Sequence, residues 1–136
     1  MATISHHRAL IYVMVIMSAV DRSMNDHELG TIGELVRTLP AFRDFDEGAL
    51  IPAAQECAAI LSGDGGLDAV LGLAAEALPD GWNETAYALA CDVAAADERL
   101  TPEELRLLEL IRSALKVDRL VAVAIERAAS ARYRRA

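Results

Sequence analysis

The stretch that decides the fold is DERLTPEEL at residues 97–105, because it occurs a second time as DRSMNDHEL at residues 21–29. The two copies align without a gap at an offset of 76 residues, with Asp first, a hydrophobic residue fourth and Glu-Leu last. Each copy follows a long apolar run, at residues 9–20 and 86–96. The repeat indicates an internal duplication of a helix-junction-helix unit.

Both copies carry the signals of a helix start. Asn25 and Thr101 are preferred N-cap residues, and Glu28 and Glu104 lie three positions later, where a carboxylate can bond the N–H of the cap residue. Pro102 would occupy the first helical position, where its missing N–H costs nothing. Each copy therefore predicts a helix that opens with a capping box.

Capping does not explain Asp21 and Asp97. If the apolar runs are helices, both aspartates lie at helix C-terminal ends, where a negative charge costs about 0.3–1 kcal/mol against the macrodipole. Three groups could balance the negative charge of these aspartates. They are the neighbouring Arg22 and Arg99, the backbone N–H groups of the turn, and a bound cation.

A cation site would need oxygen ligands from both copies. If the two junctions converge, Asp21, Glu28, Asp97 and Glu104 together supply the hard oxygen donors that a divalent cation prefers. The sequence leaves the identity of that cation open.

A self-contained calcium loop is excluded. Asp21 starts an EF-hand frame, but its sixth position is Asp26 instead of glycine and its twelfth is Ile32 instead of glutamate. The second copy fails in the same way, with Leu108 at the twelfth position. His27 lacks a second histidine at metal-ligand spacing and is a weak ligand candidate.

Composition narrows the function classes. The 136 residues fit one domain, and 54% hydrophobic content with only 4% aromatics favours close-packed helices. A net charge of −8 argues against a nucleic-acid partner, since phosphates need cationic cover. Cys57 and Cys91 have no metal-finger spacing and indicate buried, reduced thiols in a cytoplasmic protein. The apolar run at residues 9–20 is too short for membrane insertion, which takes about 20 residues.

Seven helices are predicted in a single all-α bundle. Their approximate bounds are residues 5–21 with Ser5 as cap, 26–39, 47–62, 67–78, 83–96, 102–115 and 119–133 with Asp118 as cap. The first is apolar on nearly all sides, which is typical of a central helix. We expect one domain over residues 1–136, with hairpin repeats at about 5–39 and 83–115, crossover helices at 46–78 and a C-terminal helix at 118–133.

Charge is unevenly distributed. From Glu126 onward the chain carries four arginines and a net charge of +3, which leaves −11 upstream. Arginines in a last helical turn complement the macrodipole, and a docking tail for acidic partners is the alternative. Asp92 is expected on a solvated face, loosely paired with Arg99.

The doubled junction resembles the TerB-like tellurite-resistance family. The closer copy is AAAD at residues 94–97 followed by LTPEEL at 100–105; the looser copy is SAVD at 18–21 with Met24, Asn25, Glu28 and Leu29. With the intervening helices, the resemblance covers most of the chain. The family usually has Asp-Gly where this chain has Asp21-Arg22 and Asp97-Glu98, and Arg22 could take the place of a cation. Asp97 is therefore the better candidate ligand.

The resemblance implies a compact seven-helix fold, an acidic surface proposed to bind divalent metal, and a non-enzymatic role in bacterial tellurite or chemical-stress resistance through a protein partner. The alternative is a metal-independent interaction module, co-chaperone-like or an adaptor of a membrane complex. A third interpretation, an enzyme with paired carboxylates, would require a raised carboxyl pKa in a pocket. The oligomeric state stays open, a homodimer included.

Overall fold

The computed structural model describes residues 4–19, 26–96 and 101–136, and these contain seven α-helices and no strand. The helices are α1 His6–Ala19, α2 Asp26–Thr38, α3 Leu50–Leu61, α4 Gly66–Ala77, α5 Trp82–Ala96, α6 Pro102–Leu115 and α7 Arg119–Arg132. Short 3₁₀ turns at Pro40–Phe42 and Glu47–Ala49 connect α2 to α3. The predicted all-α bundle is confirmed, and the predicted helix bounds differ from these by no more than a few residues.

Helix α1 is the centre of the bundle. Every residue from Ala9 to Ser18 is buried, so the helix has no solvated face. It packs on α3, α4 and α5, and more lightly on α2 and α6. Ser5 caps it as predicted, since its Oγ accepts the N–H of Arg8 at 3.1 Å. An apolar helix enclosed in this way supplies a large share of the hydrophobic stabilisation.

A glycine turn brings α3 and α4 into close contact. Gly65 adopts a left-handed φ of 64°, and a Cβ on Gly66 would lie only 2.4 Å from the carbonyl oxygen of Leu61. The end of α3 and the start of α4 therefore approach more closely than any other residue type would allow. The segment at residues 62–66 therefore determines the close packing of α3 on α4 as well as the turn between them.

Helix α7 packs chiefly on α5, and there one sequence prediction is wrong. Asp92 does not lie on a solvated face: it is 8% exposed and forms an ion pair with Arg132 of α7. Arg99, its predicted partner, lies outside the described residues. Burial of Asp92 follows from α7 covering that face of α5, which helical periodicity alone could not indicate.

None of the described helices combines the length and the apolar character needed to cross a bilayer.

Candidate functional site: a doubled helix junction and an arginine-lined groove

The two acidic junctions begin at the same end of the bundle. The rings of His6 and Trp82, the first residues of α1 and α5, make an edge contact with centroids 5.0 Å apart. The two helices then share the most extensive interface in the bundle, so they run side by side in the same direction. Their last residues, Ala19 and Ala96, therefore lie at one end, and from these residues the two junction segments start.

The duplication is also visible in helix register. Helix α2 begins at Asp26 and α6 at Pro102, which are equivalent positions at the 76-residue offset. Glu28 and Glu104 are consequently each the third residue of a helix, as the capping-box prediction requires. Helix α2 contacts α5 and α6 contacts α1, as expected for two related hairpins.

The capping box of the second copy is confirmed atom by atom. The Glu104 N–H donates to Thr101 Oγ1 at 3.1 Å, and Glu104 Oε1 accepts from Thr101 N and Oγ1, both at 3.2 Å. Glu104 is only 2% exposed. A cation would therefore have to share a carboxylate that already caps a helix, and the capping role explains why glutamate stands there.

The remaining predicted ligands are not tested by the structure. Asp21 and Asp97 lie outside the described residues, as does the side chain of Glu28. Within residues 4–19, 26–96 and 101–136, no three His, Cys, Asp or Glu side chains are grouped so that they could hold a metal ion. The donor set of two aspartates and two glutamates fits a hard divalent cation in its chemistry. The cation site stays a prediction.

A second candidate site is a groove of about 1120 Å³ between α6 and α7. Both helices pack on α5, but they make few contacts with each other, so α5 forms the floor of an open trough. Tyr87, Cys91, Ala94 and Ala95 line that floor. Leu105 of α6 and Val123 of α7 are about half exposed on the two walls.

Arginines dominate the charge of this groove, which we call the arginine groove. Six arginines and two glutamates line it: Arg106, Arg112, Arg119, Arg127, Arg134, Arg135, Glu109 and Glu126. Its net charge of +4 leaves −12 for the rest of a chain whose total is −8. Six of the 13 basic residues of this chain thus surround one concave surface.

Four of these six arginines have no carboxylate partner among the residues that the structure describes. Arg112 donates to the carbonyl of Val117 at 3.4 Å and Arg135 to that of Ala96 at 3.1 Å. The other four, Arg106, Arg119, Arg127 and Arg134, form no ion pair with any carboxylate of the described residues. Their charge is available to a ligand.

The arginine groove was missed as a site from the sequence, although a signal existed. Arg119 and Arg127 are spaced by eight residues within α7, which places them on one side of the helix, and Arg134 follows just after its end. The sequence predicts that the C-terminal arginines complement the helix dipole or form a docking tail for acidic partners, whereas in the structure Arg132 and Arg135 reach across to α5. Arg106 and Arg112 belong to the same surface only because α6 and α7 both pack on α5, which local sequence patterns do not indicate.

An aromatic cluster closes the opposite end of the bundle. The rings of His7, Phe42 and Phe45 contact one another, with the His7 centroid 5.9 Å from that of Phe42 and 5.3 Å from that of Phe45. His6 contacts Trp82. Burial, with the neighbouring His6, lowers the pKa of His7. Trp82 is half-buried over a helix start, as predicted.

The two cysteines are buried and free, as predicted. Burial raises the pKa of each thiol to about 12. Since the thiolate is the reactive form, neither cysteine is suited to nucleophilic or redox chemistry at neutral pH.

The family model described as tellurite resistance protein TerB matches residues 7–127, which span both junctions and α1 to most of α7. A search of curated proteins gave no match, and a search of solved structures gave none either.

Proposed function

Since this chain belongs to the TerB family, we propose that it acts in resistance to tellurite or related chemical stress without catalysing a reaction. Family membership suggests a function related to tellurite resistance. Burial raises the pKa of the Cys57 and Cys91 thiols to about 12, which argues against thiol chemistry in that role.

The proposed site is the doubled junction, where Asp21, Glu28, Asp97 and Glu104 would bind a divalent cation. The observation that carries this proposal is the shared direction of α1 and α5, from which both junction segments start at one end of the bundle. Bound there, the cation would offset the negative ends of two helices and part of the −12 charge outside the arginine groove. Glu104 already has a capping role, so Asp97 is the ligand on which we expect binding to depend most.

Calorimetric titration with Ca²⁺, Mg²⁺, Mn²⁺ and Zn²⁺ tests the cation site. We expect binding heat with at least one ion, loss of that heat in Asp97→Ala, and no loss in the matched control Glu76→Ala, which removes an exposed carboxylate of α4. Absence of heat with all four ions, or unchanged heat in Asp97→Ala, would refute the site. Tellurite tolerance of cells carrying the same variants tests the physiological role separately.

A second candidate is a metal-independent interaction module, in which the acidic surface binds a basic partner as a co-chaperone-like protein or an adaptor of a membrane complex would. The −12 charge outside the arginine groove favours it. Such binding would survive EDTA and be lost at high salt, because exposed charge pairs are screened. Binding that requires a divalent cation would instead support the first candidate.

A further inference from the structure

We infer that the arginine groove is a docking site for an acidic amphipathic α-helix of a partner protein. This surface is separate from the doubled junction, and the inference does not depend on a bound cation. It rests on the shape of the groove, the chemistry of its floor and the charge of its rims.

The shape fits a helix. The residues of α7 that line the groove run from Arg119 to Ser130, which at about 1.5 Å per residue is roughly 16 Å, or three helical turns. Helices α6 and α7 are held apart by α5 along this length. A third helix laid between them would complete the packing around α5.

The floor admits a closely packed helix. Ala94 and Ala95 of α5, and Ala122 and Ala129 at the base of the α7 wall, carry small side chains. Small residues at a contact permit the short end of the usual interaxial distances of about 8–10 Å. Leu105 and Val123, 51% and 50% exposed, offer apolar surface on both walls. An apolar stripe on the incoming helix would cover both.

The backbone of the groove favours a helix over an extended peptide. The α5 floor and the α6 and α7 walls are helices, whose N–H and C=O groups are paired internally, so the described residues of the groove offer no sheet edge to a strand. A bound segment must then satisfy its own backbone hydrogen bonds, as a helix does.

The positive charge of the groove favours a helix with acidic residues on both sides of its apolar stripe. Arg106 stands on the α6 wall, Arg119 and Arg127 stand on the α7 wall, and Arg134 follows just after the end of α7. All four lack a carboxylate partner among the described residues. Of the two glutamates, Glu126 accepts the Tyr87 hydroxyl at 2.5 Å. Asp and Glu on either side of the apolar stripe would therefore meet arginines on both walls. An anionic bilayer is a poorer occupant, because a flat surface cannot enter a trough and the chain carries −8 overall.

The test is selection from a displayed library of 18-residue peptides that have leucine at the first, fourth, eighth and eleventh positions and Ala, Ser, Asp, Glu, Lys or Arg elsewhere. We expect enrichment of Asp and Glu beside the leucines, and micromolar binding of the best peptide to the full chain. Arg127→Glu/Arg134→Glu should weaken that binding at least tenfold. The matched control is Arg43→Glu/Lys116→Glu, which changes the net charge equally at exposed positions outside the groove and should weaken it less than threefold.

Three further measurements make the result specific. A peptide with lysines in place of its acidic residues should bind the Arg127→Glu/Arg134→Glu variant better than the wild type, which no folding defect could produce. A photocrosslinking residue at Ser130 should capture the acidic peptide, whereas the same residue at Ser62 should not. Binding should be unchanged by EDTA and by Asp97→Ala, so the outcome is independent of the cation site.

Several results would overturn the inference. One is a set of selected peptides without acidic enrichment, or peptides that bind the Arg127→Glu/Arg134→Glu variant as well as the wild type. A wild-type dimer in sedimentation that the same variant lacks would assign the groove to a second copy of this chain. Binding of phosphatidylglycerol vesicles at the groove when no peptide binds would assign it to lipid.

Discussion

Arg132 of α7 forms an ion pair with Asp92 of α5, a carboxylate that is 8% exposed and 40 residues away in sequence. The pair joins the α7 wall of the arginine groove to its floor. The arginine side chain remains about half exposed, so the cost of losing the pair falls mainly on the buried aspartate.

We expect Arg132→Ala to reduce the free energy of unfolding by about 1–3 kcal/mol, since Asp92 would stay buried without its charged partner. Urea denaturation measures the change. Arg134→Ala, at an exposed position of the same segment, should change stability by no more than about 0.5 kcal/mol. The double variant Asp92→Ala/Arg132→Ala should lose less than the sum of the single variants; strict additivity would contradict the pairing.

Gly66→Ala should destabilise the protein by about 1–3 kcal/mol, because its Cβ would lie 2.4 Å from the Leu61 carbonyl oxygen and push α3 and α4 apart. Gly72→Ala in the same helix is the matched control. A Cβ there meets nothing within 4 Å, so the substitution should stabilise by about 0.5–1 kcal/mol through helix propensity. Equal effects at the two positions would show that the close approach is absent.

The pH dependence of stability should contain a contribution from His7. Its pKa is lowered in the folded protein by burial and by His6, so the unfolded chain takes up a proton first as the pH falls. Stability is then full above the ordinary histidine pKa of about 6.5, declines below it, and levels off below the folded-state pKa. The free energy of unfolding, measured from pH 8 to pH 5, should fall more in the wild type than in His7→Gln. Parallel curves would rule out this contribution.

The thiols of Cys57 and Cys91 should be almost unreactive in the native protein at pH 8, because burial raises the pKa of each to about 12. A colorimetric thiol reagent should detect both cysteines at once only after denaturation in urea. Ser62→Cys, at an exposed position, supplies an internal standard that reacts within the dead time. Fast reaction of the wild-type thiols would mean that α5 or α3 opens locally.

Much of the architecture could be predicted from local chemistry. Thr101 and Pro102 define the start of α6. Asp118 defines the start of α7, since its side chain accepts the Leu120 N–H at 3.1 Å. The unbroken apolar run of α1 indicates its central place in the bundle. These features depend on residues a few positions apart, and capping and periodicity act at that range.

The candidate sites were predictable only in part. The 76-residue repeat marked the doubled junction, and the capping role of Glu104 followed from its spacing to Thr101. The arginine groove was not predicted, because Arg106 on α6 and Arg127 on α7 belong to one surface only when both helices pack on α5.

By itself, then, the sequence determined the helices, their caps, the buried α1 and the repeated junction, since each is encoded by neighbours along the chain. Tertiary structure alone decided which distant groups meet. It buried Asp92 against Arg132, brought α1 and α5 into the same direction, and gathered six arginines around one groove. Such contacts join residues tens of positions apart, and packing, not periodicity, selects them.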